Sequence, residues 1–227
     1  MASTNRCTYC GKEFAKARTL QVHLCEPKRR YLQKDEKWVV NAFMVFQRFY
    51  QIHQHNSKTK TYDEFVKSAY YNAFVKFGRF IMHIDPLYPD KYIDFVLRSK
   101  IKLDHWARYD LYETYLIEAL KTEPVEAALQ RSITTMMDWA AEQNAQWSDY
   151  FRLVNTNRAV QHIQQGKISP WLLLGCSAGK RMLKSFNDEQ LQMIERFINP
   201  SFWPSKLKSY PADHMLVQDT AREAKIV

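Results

Sequence analysis

Three cysteines and one histidine lie close together near the N-terminus, in the segment CTYCGKEFAKARTLQVHLC of residues 7–25. Cys7 and Cys10 are separated by two residues, a spacing that presents two thiolates to a single ion. With the two residues that close the segment, they supply the sulfur and nitrogen ligands of a tetrahedral site. We therefore predict one bound Zn²⁺ with four ligands: Cys7, Cys10, His23 and Cys25. A reduced cluster of free thiols and a different fourth ligand are the alternatives.

The residues between these ligands resemble a known family of small metal-binding domains, the two-Cys-two-His zinc finger. The family pattern C-x2-C-x3-F-x5-L-x2-H is matched with Phe14 and Leu20 at its apolar positions. Gly11 follows the second ligand, where a tight turn needs positive φ. Cys25 stands in place of the last histidine, so the segment resembles the Cys-Cys-His-Cys variant. The resemblance covers residues 5–27 and implies a small ββα finger that zinc stabilises.

The spacing of the last two ligands departs from the family pattern. The family leaves three to five residues between them, whereas only Leu24 separates His23 from Cys25. Residues two apart on a regular helix face nearly opposite directions. We therefore expect the helix to unwind after His23, and Pro27 favours this because it disfavours a helical residue before it.

The N-terminal segment is also basic. The chain has a formal net charge of +9, and residues 1–37 carry nine basic residues against four acidic ones. Such a patch attracts polyphosphates by Coulomb force and counterion release, although a charged, solvated surface is the alternative interpretation. The zinc-finger resemblance implies that Lys16, Thr19 and Val22 face the bases. The predicted nucleic-acid contacts are the following polar and basic residues: Lys12, Lys16, Arg18, Thr19, Lys28, Arg29 and Arg30.

The rest of the chain must position this finger, and its pattern is helical. Glycine occurs only five times. Apolar residues recur at helical spacing from Trp38 to Ile52, within a helix predicted over residues 31–54. The pairs Thr61-x-x-Glu64 and Asn187-x-x-Gln190 predict capping boxes at two helix starts. We predict a mainly α protein in which a small N-terminal ββα zinc finger is followed by an all-α multi-helix domain. The predicted parts are a finger (1–27), a basic hinge into the first long helix (28–37) and the all-α domain (38–227).

Catalytic groupings are weak by comparison. An acidic cluster suitable for a metal-dependent nuclease can be assembled from four residues: Asp104, His105, Asp110 and Glu113. His162 follows Arg158 by four residues, which places it on the polar side of its helix. Neither grouping contains a nucleophile, a base and an orienting group together, so we expect a protein that is not an enzyme.

Segments beyond the finger, such as KTYDEF (60–65) and SFNDEQLQMI (185–194), resemble uncharacterised proteins of large tailed phages of marine cyanobacteria. The resemblance implies the cytoplasm of an infected host cell and brings no known activity. No apolar run is long enough to cross a bilayer, so we expect a cytoplasmic protein that does not bind membranes. In that reducing compartment, clustered cysteines favour metal binding over disulfides.

These observations lead to three functional hypotheses. The first is a non-enzymatic accessory protein that binds nucleic acid, DNA rather than RNA, through the finger, with a protein partner on the helical domain. The second is a protein-interaction adaptor that binds a host or phage polymerase or replication protein. The third is the metal-dependent nuclease.

Overall fold

The computed structural model describes residues 5–54 and 58–226 of the 227-residue chain. The chain divides into two compact units, residues 1–112 and 113–227. Within the described residues the fold comprises fifteen α-helices, two short 3-10 helices and one two-stranded hairpin. The predicted mainly α class with a small N-terminal ββα element is therefore confirmed. None of the helices in the described ranges has the length and apolar character that crossing a membrane requires.

The predicted domain boundaries after residues 27 and 37 stay predictions. Parts of the predicted domains, residues 1–4, 55–57 and 227, lie outside the described residues.

The first unit contains the hairpin and six helices before the chain reaches the division. Its elements, in chain order, are β1 Asn5–Arg6, β2 Glu13–Phe14, α1 Ala17–Gln21, α2 Glu26–Leu32, α3 Lys37–His53, α4 Tyr62–Lys67, α5 Tyr71–Ile84 and α6 Pro89–Arg98. A 3-10 turn at Leu103–His105 follows, and the division between the units falls within α7, Tyr109–Thr122.

Helices α3 and α5 form the centre of this unit. A Cβ on Gly78 would lie 2.3 Å from the carbonyl oxygen of Trp38, so only glycine permits the two backbones to approach this closely. The predicted capping box is present at the start of α4, where the Thr61 side chain accepts from the Glu64 amide and the Glu64 carboxylate accepts from the Thr61 amide. Around these helices lies an aromatic core: Phe46, Phe65, Phe74, Phe77, Tyr92 and Trp106.

The predicted long helix over residues 31–54 is divided in the structure. Residues 28–30, predicted as a hinge, lie inside α2, which ends at Leu32 before α3 begins at Lys37. Pro27 occupies the first turn of α2, where its fixed φ suits a helix and its missing N–H is not needed. Pro27 therefore both ends the non-helical segment after α1 and helps to begin α2.

The second unit is entirely helical in the residues that the structure describes. After α7 it contains α8 Val125–Gln143, α9 Tyr150–Leu153, α10 Thr156–Gln164, α11 Pro170–Gly175, α12 Ser177–Leu183, α13 Asp188–Ile198, α14 Trp203–Ser209 and α15 Pro211–Glu223. A 3-10 turn, Trp147–Asp149, precedes α9. The predicted capping box of Asn187 and Gln190 at the start of α13 is confirmed.

A buried ion pair joins segments of the second unit that are far apart in the sequence. The Arg131 guanidinium donates two hydrogen bonds to the Glu123 carboxylate, at 2.6 and 2.7 Å. The Ser169 hydroxyl donates to the same carboxylate at 2.9 Å, and Arg131 Nε donates to the Gly166 carbonyl at 2.6 Å. Because the Glu123 side chain is fully buried, its charge depends on these partners.

We predict that Glu123→Ala destabilises the protein by about 3–5 kcal/mol, because the largely buried Arg131 loses its counter-ion. Urea denaturation followed by circular dichroism measures the change. Glu118→Ala is the matched control, since Glu118 is exposed and paired with Lys121, and it should cost no more than about 1 kcal/mol. Equal losses in the two variants would contradict the role assigned to Glu123.

Candidate metal centre

The first two ligands lie in the turn between β1 and β2. The strands pair antiparallel, and the amide of Gly11 donates to the carbonyl of Cys7 at 2.8 Å. The Cys7 amide in turn donates to the carbonyl of Lys12 at 2.8 Å. Gly11 has φ +72°, a left-handed conformation that glycine adopts without strain, as the sequence predicted. This tight turn brings the sulfur atoms of Cys7 and Cys10 to the same side of the hairpin.

The other two ligands lie in the segment between α1 and α2. Helix α1 ends at Gln21, earlier than the sequence analysis expected, and residues 23–25 are not helical. Cys25 has an extended backbone and is the N-cap residue of α2. Because the segment is not helical, His23 and Cys25 are not forced to face opposite directions, and the short spacing is compatible with a shared ion. The departure from the family spacing therefore has a stereochemical explanation.

The four donor atoms form a compact group. One ligand atom from each of Cys7, Cys10, His23 and Cys25 lies within 4.8 Å of the other three. The sulfur atoms of Cys7 and Cys25 are 3.9 Å apart, and Cys10 Sγ lies 3.3 Å from His23 Nε2. A tetrahedral ion with bonds of about 2.3 Å to sulfur and 2.0–2.1 Å to nitrogen requires about 3.8 Å and 3.5 Å for these separations. The group could therefore hold a metal ion with only small adjustments.

Electrostatics within the group favour a bound cation. The backbone N–H of Cys10 is the main cause that lowers the pKa of the Cys7 thiol. The Lys12 backbone N–H is the largest influence on Cys10 and by itself lowers the pKa of this thiol. Desolvation and the neighbouring thiols of Cys7 and Cys25 together outweigh it, so the pKa of Cys10 is raised. Because thiolates at this distance repel each other, a cation among them would stabilise the group.

Contacts around the ligands hold the finger against the helices of the first unit. The ring of Phe14 packs on the imidazole of His23, with centroids 4.7 Å apart. Tyr9 packs against Tyr31 of α2, which packs against Tyr62 of α4, with centroids 5.3 and 5.6 Å apart. The finger is therefore joined to the helical core of this unit by continuous aromatic contacts.

Two hydrogen bonds between α2 and α4 reinforce the attachment of the finger to the first unit. The Tyr31 hydroxyl donates to the carboxylate of Asp63, which raises the pKa of Tyr31 to about 12. In the opposite direction, from α4 to α2, the Tyr62 hydroxyl donates to the Arg30 carbonyl at 2.8 Å. Both bonds link α2 with α4.

The structure separates the predicted nucleic-acid contacts into two sets. Four of them, Lys12, Lys16, Arg18 and Thr19, are exposed on the finger. Lys12 Nζ lies 5.6 Å from the centroid of the Phe14 ring. These side chains can reach a ligand without breaking an ion pair within the described residues.

The three predicted contacts in α2 have partners inside the protein. Lys28 Nζ donates to the His23 carbonyl at 3.0 Å, and Arg29 pairs with Glu26. Arg30 is only 15% exposed, donates to the carbonyl of Val66 and lies 4.2 Å above the Tyr71 ring. Arg30 therefore joins α2 to the core of the first unit, and the local sequence contains no signal for this role.

Two of the four residues of the hypothetical nuclease cluster have other partners, and the remaining two, Asp104 and His105, lie in the 3-10 turn before α7. Asp110 is bonded to Arg108 at 2.9 Å, and this guanidinium lowers the pKa of Asp110. Glu113 pairs with Arg196 at 2.6 Å. Among the described residues, the one group of three or more His, Cys, Asp or Glu side chains that could hold a metal is the cluster of three cysteines and His23.

Comparison of the chain with protein-family models, curated proteins and solved structures gives no match. The resemblance to phage proteins stays a prediction from the segments that suggested it. The case for a metal centre rests on the donor geometry of this chain.

We predict that Co²⁺, used as a spectroscopic probe, binds the full chain with the visible absorption of a tetrahedral thiolate site. Cys25→Ser should weaken binding by at least about tenfold, because a hydroxyl is a much poorer ligand than a thiolate. Cys176→Ser is the control, since Cys176 is buried in the second unit at the start of α12. Unchanged Co²⁺ affinity in Cys25→Ser would remove this residue from the ligand set.

Proposed function

We propose that this protein is a non-enzymatic accessory protein whose zinc finger binds nucleic acid, with DNA preferred over RNA. The observation that carries the proposal is the set of exposed basic side chains on a finger organised by three cysteines and one histidine. Within the first unit, α2 and α4 hold this finger through aromatic contacts.

Zinc is the metal that the ligand set favours. Three thiolates and one imidazole suit Zn²⁺ in a tetrahedral site, whereas Mg²⁺ and Ca²⁺ prefer oxygen ligands. Four protein ligands leave no open position for a substrate or water, as in structural zinc sites. The finger also needs a metal for its stability, because its strands have two residues each and α1 has no buried residue.

The cations around the metal site would supply the attraction for phosphate. The three thiolates exceed the two charges of Zn²⁺ by one, so the metal site itself carries a net negative charge. Attraction must therefore come from the exposed side chains of Lys12, Lys16 and Arg18. These residues surround the site on the hairpin and on α1.

The shape of the finger favours phosphate contacts over base contacts. Helix α1 has only five residues, and Val22 lies beyond its end. A helix this short cannot present Lys16, Thr19 and Val22 along one groove in the way of longer finger helices. Contacts to phosphates fix the position of a protein on DNA but do not read the sequence. We therefore propose binding with little sequence preference.

We predict that the binding of this protein to DNA depends strongly on salt concentration. The zinc-loaded protein should bind duplex DNA with an affinity that falls steeply as the salt concentration rises. Lys16→Gln and Arg18→Gln should each reduce the slope of log K, where K is the association constant, against log[salt] by about 1. Fluorescence anisotropy measures this slope.

The control is Lys100→Gln, which removes the same charge from an exposed residue after α6 and should leave the slope unchanged. Absence of binding to duplex DNA, single-stranded DNA and RNA at low salt would refute the proposal. Tighter binding to RNA than to DNA of the same sequence would refute the preference for DNA.

A second candidate function, the protein-interaction adaptor, is favoured by apolar side chains beside the metal site. Val22 and Leu24 are 76% and 60% exposed and flank the ligand His23 in the sequence. Lys28 is bonded to the carbonyl between them, and Arg18 lies one helical turn before Val22. An apolar pair flanked by cations suits a protein surface with apolar and acidic side chains, such as that of a polymerase or replication protein.

For the adaptor we predict that the double variant Val22→Ser, Leu24→Ser loses a stoichiometric protein partner that wild-type protein retains after nuclease treatment. Metal binding should be unchanged, because neither side chain is a ligand. Leu32→Ser removes an equally exposed leucine from the end of α2 and is the control. Loss of the captured partner on nuclease treatment would instead show that nucleic acid bridges the two proteins.

A further inference from the structure

A cleft of about 540 Å³ lies beside α10 in the second unit. Its lining residues lie on one face of this helix and just beyond it: Asn157, Arg158, Gln161, His162, Gln165 and Lys167. No carboxylate is among them. Every lining residue has a polar or charged side chain, and the volume of the cleft lies within the range of sites for small ligands.

The histidine in this cleft is more buried than the sequence analysis predicted. We expected His162 on the polar side of its helix, but the residue is only 7% exposed. Its Nδ1 lies 2.8 Å from the hydroxyl of Tyr150, a residue with no exposed surface. The packing of α9 beside α10 produces this difference, because Tyr150 covers one edge of the imidazole.

The contact with Tyr150 determines which nitrogen carries the proton. Among the described residues, the one hydrogen-bond partner of the Tyr150 hydroxyl is the His162 imidazole. A buried hydroxyl needs an acceptor for its proton, so Tyr150 donates to Nδ1. In the neutral imidazole the proton then lies on Nε2, at the opposite edge of the ring.

The imidazole is neutral at pH 7. Burial is the main cause that lowers the pKa of His162, to about 4, and the charges of Arg158 and Lys167 act in the same direction. Glu142 opposes them, and it is paired with Arg158. His162 therefore contributes an N–H group to the cleft rather than a positive charge.

The other lining groups are also mainly donors. The ammonium group of Lys167 is exposed at the cleft. The Asn157 side-chain oxygen accepts from Gln190 at 2.7 Å, which leaves the amide N–H groups of Asn157 available. Gln161 and Gln165 can turn their amide N–H groups towards a ligand. A set of N–H donors along one face of α10 and at Lys167, with no carboxylate among the lining residues, is typical of a site for an oxyanion.

We propose that this cleft binds a phosphate group, with His162 Nε2 and Lys167 Nζ as its principal donors. A phosphate monoester offers three terminal oxygens and a phosphodiester two, in each case on a tetrahedral centre that can meet donors outside a single plane, whereas the two oxygens of a carboxylate are coplanar. The phosphate belongs either to a small metabolite or to the backbone of a nucleic acid. This site is separate from the finger and does not rest on its function.

The test uses full-length protein with ¹⁵N-labelled histidine, and follows the His162 imidazole by NMR at pH 7. Inorganic phosphate should shift the Nε2 resonance in a saturable manner. Lys167→Gln should weaken this binding by about fivefold, the effect of one exposed charge pair. Lys184→Gln removes the same charge from an exposed residue after α12 and should leave binding unchanged.

Two further probes identify the source of the phosphate. A saturable His162 shift with single-stranded oligothymidylate that Lys167→Gln weakens supports a nucleic-acid backbone, whereas a shift with inorganic phosphate alone supports a small metabolite. The proposal is overturned if none of the probes gives a saturable shift, if Lys167→Gln and wild type respond equally, or if acetate is as effective as phosphate.

Discussion

The convergence of three sulfur atoms and one imidazole nitrogen within 4.8 Å is the constraint on which the N-terminal part of the molecule depends. Thiolates so close repel one another, and the finger has little apolar core with which to hold them together. Cys7 is the one buried residue among residues 5–27, the described part of the finger. A metal ion would therefore supply both the charge compensation and much of the folding free energy of this region.

The non-helical segment between α1 and α2 gives the site its particular form. It directs His23 and Cys25 towards the shared centre and leaves Val22 and Leu24 in solvent. Helix α2 then begins at Glu26 and connects the finger to the core of the first unit. As a result, the basic residues that are neighbours in the sequence have different surroundings. Those on the hairpin and α1 are free to meet a ligand, whereas Lys28 and Arg30 of α2 bond to other segments of the first unit and Arg29 pairs with Glu26 of its own helix.

The second unit shows how burial changes the chemistry of ordinary polar residues. The buried side chain of Glu123 accepts hydrogen bonds from Arg131 and Ser169, which replace the water that it loses on folding. His162 becomes neutral because Tyr150 and the surrounding helices desolvate it, and the same hydroxyl orients its ring protons. The first arrangement stabilises the fold, while the second leaves an oriented N–H group at the edge of a basic cleft.

The amino-acid sequence by itself determined the features that depend on neighbours within a few residues. These are the spacing of the metal ligands, the turn at Gly11, the capping boxes of α4 and α13, and the mainly helical class. The turn and the capping boxes follow from local geometry because their partners lie within one turn of each other, the helical class follows from the apolar period, and the ligand spacing is read directly from the sequence.

Only the tertiary structure decided the features whose partners are remote. Arg30 meets the Val66 carbonyl across 36 positions of the chain, and the burial of His162 depends on Tyr150 in a different helix. The early end of α1 likewise depends on the ligands that must meet across the hairpin. Charge, exposure and proton position are properties of the surroundings of a side chain, and those surroundings exist only when the elements have packed.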